Sequence, residues 1–319
     1  MKKYKLLMTV MMIISIILVG CGNQQEAKPN SNEQQEANEK SGPRVFKHYK
    51  GETEIPVEPK RVVALAYTGH VLAAGVKPVG VTEWDLQNHY LKEHLEGVES
   101  IGEEPNLEKI LELQPDLIIG AEWDEKIYDD LSKIAPTILI PWMENDVYGH
   151  LEIVADALGK KDEANKWLKN FEATADKVKK DLKNNIGEDE TLLIFRIYPD
   201  SFSVYGDRNM GHVFYRALGL TPHPLIQDEI EKNPGKFNQQ KISLEVLPEY
   251  AADHMIVMVN DLKEQEQQLY EIQNSSIWKG LPAVQNNQVY FIERNQWLSY
   301  DPISLQGQLQ DVVSIFEQR

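Results

Sequence analysis

Cysteine is nearly absent: Cys21 is the only one among 319 residues. One thiol can make no internal disulfide and no thiolate metal site, whatever the redox compartment. Basic residues are scarce beside acidic ones, 33 Lys and Arg against 50 Asp and Glu, for a formal net charge of −17 at pH 7. So negative a chain argues against nucleic acid as a partner, and against an anionic membrane gripped through a basic face. Catalytic signatures are missing as well, with no G-x-S-x-G elbow, no G-x-x-x-x-G-K-[ST], no G-x-G-x-x-G and no H-E-x-x-H. The chain reads as a non-enzyme. The eight histidines are dispersed, and none makes the i, i+4 pair that suits a metal. His70 and His212 are the pair that would have to meet across a cleft to ligate a transition metal or haem, but solvent-facing or capping histidines are the favoured reading, so no metal is assigned.

What is present begins with a basic KKYK, the apolar run LLMTVMMIISIILVG at 6–20, and then Cys21. The run is short for a membrane span and has the layout of a secretory leader. Leu18-Val19-Gly20-Cys21 resembles the bacterial lipobox, which implies acylation of Cys21 after removal of residues 1–20. Residues 21–44 are rich in Asn, Gln, Glu and Lys and nearly devoid of apolar side chains. Such a segment cannot bury enough surface to fold, and it would tether the body on the order of 25 Å from the lipid. The folded part is expected to start near Val45, on the outer face of the cell membrane.

From residue 61 onward, apolar strands alternate with helical segments, as in RVVALAY, KPVGVTEW, NLEKILELQ, DLIIGAEW, DEKIYDDLSKI and TILIPW. Alternation of this kind predicts an α/β fold with mostly parallel strands. Residues 162–184 carry Ala164, Trp167, Leu168, Phe171, Ala175, Val178 and Leu182 at helical spacing, one long amphipathic helix. A second α/β region follows, with strands at TLLIFRIYP, SFSVYG, HMIVMVN and QVYFIER and helices near MGHVFYRALG, LEVLPEYAA and SLQGQLQDVVSIF. The expected domains are an N-terminal lobe at 45–150, a bridging helical segment at 151–186 and a C-terminal lobe at 187–319.

Ligands of open α/β sheets bind beyond the carboxyl ends of the strands. In the first lobe those ends carry Tyr67, Trp84, Trp123 and Trp142; in the second they carry Arg196, Tyr198, Tyr205 and Arg208, then Arg294, Trp297 and Tyr300 past the last strand. Aromatic faces with a few cations suit an oxygen-rich ligand that has apolar parts.

Nine blocks in register then suggest a family: "IPVEPKRVVAL", "AAGVKPVGV", "NLEKILELQPDLIIG", "KIAPTILI", "YGDRNMGHVFYRALGL", "ISLEVLPEYAADHMIV", "SSIWKGLPAVQNNQVYFI", "YDPISLQGQL" and the lipobox. Together they resemble the iron-siderophore substrate-binding lipoproteins of ABC importers, of the ferric-hydroxamate type found in Gram-positive bacteria. The resemblance spans about residues 45–319 and implies two lobes bridged by one long helix, the helical-backbone type of periplasmic binding protein, with the ligand in a cleft between them. It also implies capture of a ferric siderophore by a monomer, delivery to a membrane permease driven by an ATPase, and no intrinsic cofactor, since the siderophore itself holds the iron. Carried onto this chain, the family's ligand wall falls on Arg196, Tyr205, Arg208, Trp297 and Tyr300, opposite Tyr67, Trp84, Trp123 and Trp142, and its permease-docking glutamates fall on Glu108 and Glu245. The turn GDRNMGH is shorter than the G-R-G-G-like turn typical of hydroxamate binders. With Arg196, Arg208 and His212 around it, that turn points toward a more anionic ligand, such as a citrate-containing siderophore. Haem, cobalamin or another metal complex, or a ferric catecholate or citrate, are the alternative ligands within the same fold.

Overall fold

The computed structural model describes residues 42–317. The expected leader at 1–20, the acylation site Cys21 and nearly all of the tether at 21–44 lie outside the described residues. The first described strands form a hairpin, β1 (Arg44–His48) against β2 (Gly51–Ile55), in antiparallel register Arg44↔Ile55. Among the described residues no helix is long and apolar enough to cross a membrane.

Five parallel strands make the first sheet: β3 (Val62–Ala64), β4 (Gly80–Val81), β5 (Glu99–Ser100), β6 (Leu117–Ala121) and β7 (Thr137–Ile140), in spatial order β5-β4-β3-β6-β7. The runs VVA, LIIGA and TILI are buried along their whole length, because helices cover both faces of the sheet. One apolar cluster lies on each face, the larger including Val62, Ile119 and Leu151 and the smaller Val63, Ile118 and Leu131.

The second sheet holds β8 (Thr191–Ile197), β9 (Phe202–Tyr205), β10 (Thr221–Pro222), β11 (Gln239–Ile242), β12 (His254–Val259) and β13 (Val289–Glu293). Its order is β11-β9-β8-β12-β13, with β10 beside the start of β8. Strands β8, β12 and β13 are parallel, whereas β9 runs antiparallel to both β8 and β11. The antiparallel edge follows from the tight turn after β8, which leaves no room for a crossover helix.

A single helix, Lys161–Asp181, links the two sheets and spans about 31 Å at 1.5 Å per residue. Its apolar stripe is shared: Ala164 packs into the N-terminal core, while Phe171, Ala175 and Val178 pack into the C-terminal one. Sharing one rigid element between two cores ties the lobes mechanically. The last helix, Pro302–Phe316, reinforces the tie by packing against both the long helix and the helix Thr68–Ala73 of the first lobe.

Two segments expected to be ordinary helices are not. MGHVFYRALG becomes a widened π-type turn at His212–Ala217, and LEVLPEYAA becomes a tight 3₁₀ stretch at Leu244–Tyr250. Pro248 lies inside the latter, where it has no N–H to donate to an α-helical ladder.

Candidate functional site

The C-terminal wall of the cleft follows from register. Arg196 on β8 is opposite Met258 on β12, and Val259 is opposite Glu293 on β13, so Arg196, Asn260 and Arg294 leave the sheet at one edge. After Arg196 the chain turns through Pro199-Asp200, closed by Tyr198 N–H donating to Ser201 O at 2.9 Å, and returns as β9 to deliver Tyr205. Arg196 is nearly buried. Its guanidinium donates to the Tyr205 hydroxyl at 3.0 Å and to Asn260 Oδ1 at 3.1 Å, and lies 4.0 Å from the centre of the Tyr198 ring. Its Nε is buried without a hydrogen-bond partner. Tyr198 in turn donates to Gln239 Oε1 at 2.7 Å and stands 3.3 Å, oxygen to oxygen, from Tyr205. Burial pushes the Tyr205 phenol well above its ordinary value, so it remains a neutral hydroxyl able to donate.

Arg294, just past β13, lies with its guanidinium 5.0 Å from the centre of the Trp84 ring in the other lobe. Burial, and next the nearby charge of Arg196, disfavour its cationic form and lower its pKa. Among the described residues neither arginine makes an ion pair with a carboxylate. The acids beside them are engaged elsewhere: Asp261 accepts from the N–H groups of Lys263 and Glu264, and Glu293 from that of Leu262. Two like charges are thus held together, without a counterion, in a strongly acidic protein.

The N-terminal wall is aromatic. Trp84 and Trp123 are 53% and 57% exposed, unusual for tryptophan, and Trp142 is half-buried behind them. Ring centres are 6.2 Å apart for Trp123 and Trp142, and 5.9 Å for Trp142 and Tyr300. Tyr67 takes a left-handed backbone, φ 63°, and donates its hydroxyl to Ile140 O at 2.8 Å. Between the lobes these side chains enclose a pocket of about 220 Å³, lined among others by Tyr67, Trp84, Asp85, Trp123, Trp142 and Tyr300.

The turn after β9 departs from the sequence expectation. Arg208 is fully buried and lies under Trp142 rather than in the cleft: it donates to Trp142 O at 3.1 Å, Asn145 O at 2.9 Å and Gly235 O at 2.9 Å. His212, expected at the ligand, is also fully buried, with its ring nitrogens 2.9 Å from the Tyr148 hydroxyl and 3.4 Å from that of Tyr300. Burial, and then the Arg216 charge, lower its pKa to about 3. Asp207 accepts from Gly235 N–H at 2.7 Å, Arg216 pairs with Asp146 at 2.8 Å, and the Asn209 amide donates to Leu298 O at 3.2 Å. The short turn is therefore a clasp between the lobes, and its charges are turned to protein partners. It closes so tightly that a Cβ on Gly211 would sit 1.7 Å from Gly206 O. Trp297, expected as the aromatic wall, turns inward on the one-turn helix Arg294–Trp297 and stacks on Phe214, ring centres 5.4 Å apart. Tyr300 is buried too; it lines the pocket while its hydroxyl accepts from Val147 N–H at 3.3 Å. Spacing along the chain located the strand ends correctly but carried no information on which way the residues after a turn would face.

Glu108 and Glu245 are both exposed at the starts of short helices, one in each lobe. His70 and His212 do not meet: His70 packs with Tyr67 and His150, His212 with Tyr148 and Tyr300. Among the described residues no group of three or more His, Cys, Asp or Glu is placed to hold a metal ion.

Two α/β lobes on a shared helix, with an aromatic cleft between them, have the architecture of a solute-binding protein. The chain belongs to the periplasmic binding protein family, whose model matches residues 62–295. It is 35% identical to the iron(3+)-hydroxamate-binding protein YxeB of Bacillus subtilis, over 99% of this chain and 98% of that one. To the Fe(3+)-citrate-binding protein YfmC of the same organism it is 31% identical, over 92% of this chain and 90% of that one. Among solved structures, Staphylococcus aureus SirA complexed with staphyloferrin B superposes with a TM-score of 0.72 at 30% identity, covering 86% of this chain and 98% of SirA. Members of this family bind and hand over solutes; they are not enzymes.

Proposed function

We propose that this chain captures a ferric siderophore, of hydroxamate or citrate-hydroxamate type, outside the cell membrane and delivers it to an ABC permease for iron uptake. The observation that carries the reading is the pair Arg196 and Arg294, two neighbouring guanidiniums without a carboxylate partner among the described residues, the second lying over Trp84 of the opposite lobe. A siderophore surrounds Fe³⁺ with hard oxygen donors, so the protein meets an oxygen-rich shell and has no need to ligate iron itself. Guanidinium forks and the Tyr205 hydroxyl supply directed donors to those oxygens, and Trp84, Trp123 and Trp142 cover the methylene parts. Relatives that bind hydroxamate and citrate complexes of iron support this ligand class.

In this reading residues 1–20 are a leader, acylated Cys21 anchors a monomer, 21–44 form the tether, and lobes at 45–150 and 187–319 flank the bridging segment 151–186. Glu108 and Glu245 dock the permease, which an ATPase drives. Titrating purified protein with ferric hydroxamate, catecholate and citrate-type siderophores tests the binding role through tryptophan fluorescence. Saturable quenching below micromolar concentration is expected for at least one; none across the panel overturns the reading. Replacing Glu108 and Glu245 together by Ala is expected to leave affinity unchanged and to abolish uptake of labelled iron. A fall in affinity would remove them from the docking role.

A further inference from the structure

The pocket between the tryptophans has a chemistry that the arginine wall does not explain. Asp85 stands in it, with Oδ2 accepting from Thr68 Oγ1 at 2.6 Å and Thr82 Oγ1 at 3.1 Å, while Oδ1 has no hydrogen bond to protein. Thr82 caps the helix Glu83–Gln87, its hydroxyl accepting from Asp85 N–H at 3.4 Å and donating to Asp85 Oδ2, so capping engages Oδ2 and leaves Oδ1 toward the pocket. From the other lobe Asp301 borders the same space, its Oδ1 accepting from Ser304 N–H at 3.0 Å. Burial, opposed by the Thr68 hydroxyl and aided by the charge of Asp301, pushes the Asp85 carboxyl up to about 6, so a cation placed beside it would favour its charged form.

No lysine or arginine lines this pocket. Of the cations nearby, Arg294 lies on Trp84 at the mouth, and Arg208 lies behind Trp142 and Tyr300 with its donors turned to main-chain carbonyls. His70, fully buried at the back, is held neutral by burial and then by its neighbour His150. Indole faces attract cations through their quadrupole, and the guanidinium of Arg294 over Trp84 shows that one of these faces is accessible to a cation. A carboxylate oxygen without a partner, three tryptophans and no competing cation on the lining make a cage for positive charge. Its position is complementary to the arginine wall: one edge of the cleft suits the negative oxygens of the chelate, and the pocket suits a positive group some distance from the iron.

We propose that the pocket is a subsite for a protonated amine arm of the ligand, with Asp85 as its ion-pair acceptor and Trp84, Trp123 and Trp142 as its walls. The proposal rests on the siderophore reading of the cleft and adds a preference within it, for chelates that end in an alkylammonium. At ~30 Å³ per water-sized group, a volume of about 220 Å³ has room for an arm of roughly five to seven heavy atoms.

Three ferric trihydroxamates that bind iron alike decide the matter: ferrioxamine B with its free amine, the same compound acetylated on that amine, and a cyclic trihydroxamate with no amine. In fluorescence titrations of the full-length chain at pH 7.5, the free-amine form should bind at least tenfold more tightly than the other two. Asp85→Asn should reduce it to the level of the acetylated form. Equal affinities in the unaltered protein overturn the subsite, as does an Asp85→Asn loss that falls equally on all three ligands. Should that variant fail to fold, the acetylated and free-amine forms compared on the unaltered protein decide alone. Binding of carboxylate siderophores without binding of the free-amine trihydroxamate overturns the subsite and leaves the siderophore reading standing. No binding by any ferric siderophore overturns both.

Discussion

Arg196 on β8 and Arg208 in the turn after β9 are both buried, and among the described residues neither pairs with a carboxylate. Their surroundings differ in what their donors meet. Arg208 gives three hydrogen bonds to carbonyl oxygens from both lobes, so its charge is dispersed over backbone dipoles and its position is fixed. Arg196 meets a phenol, an amide oxygen and an aromatic face, keeps a buried Nε unbonded, and feels the repulsion of Arg294. Exposure alone would class the two together; the destination of each donor separates them, and the ligand role proposed above falls to Arg196.

The largest effect expected from this comparison is on stability. Arg208→Ala empties a fully buried side-chain site, leaves three part-buried carbonyls without their donor and should cost about 2–4 kcal/mol, read as a lower urea midpoint. Arg196→Ala should do the converse: affinity for ferric siderophore falls about a hundredfold, about 2.7 kcal/mol, while the urea midpoint barely moves. If the two variants exchanged phenotypes, the comparison would be wrong.

Acid should loosen the clasp. Burial lowers His212 to about 3 and His150 to about 4, whereas an unfolded histidine titrates near 6.5. Below about 6.5 the unfolded chain takes up protons that the folded chain refuses, so the contribution is complete above that pH and is lost as pH falls toward 4. Each histidine steepens the loss by up to ~1.4 kcal/mol per pH unit. Urea midpoints compared at pH 7 and pH 5 should show the drop, and His212→Phe should flatten it. The smallest effect is that of Arg294→Ala, about a tenfold loss of affinity, with a shift in tryptophan emission as the cation leaves Trp84.

Legibility in the sequence followed burial. TLLIFRI, HMIVMV and the stripe on Lys161–Asp181 announce themselves because buried strands and shared helices need long apolar patterns. The edge strand β11, QQKI, is three-quarters exposed and carries no such pattern, and the hairpin at 44–55 buries little more than Phe46 and Ile55. The three tryptophans and Arg196 stand beyond the strand ends, where the sequence puts them, because parallel topology fixes where strands end. Arg208, His212 and Trp297 turn inward, away from the pocket, because contacts with residues distant in sequence, Asn145, Tyr148 and Phe214, decide their direction. Arg294 stood in the same sequence block as Trp297 and took the cleft position instead.

The central claim is that Arg196 and Arg294 lack a protein counterion because the ligand provides one. The most direct test is a fluorescence titration of the double variant Arg196→Ala, Arg294→Ala with whichever ferric siderophore binds the unaltered chain, alongside its urea unfolding curve. The account predicts at least a hundredfold weaker binding with an unfolding midpoint equal to or above that of the unaltered protein. Unchanged affinity, or a loss of binding matched by a loss of stability, would contradict it.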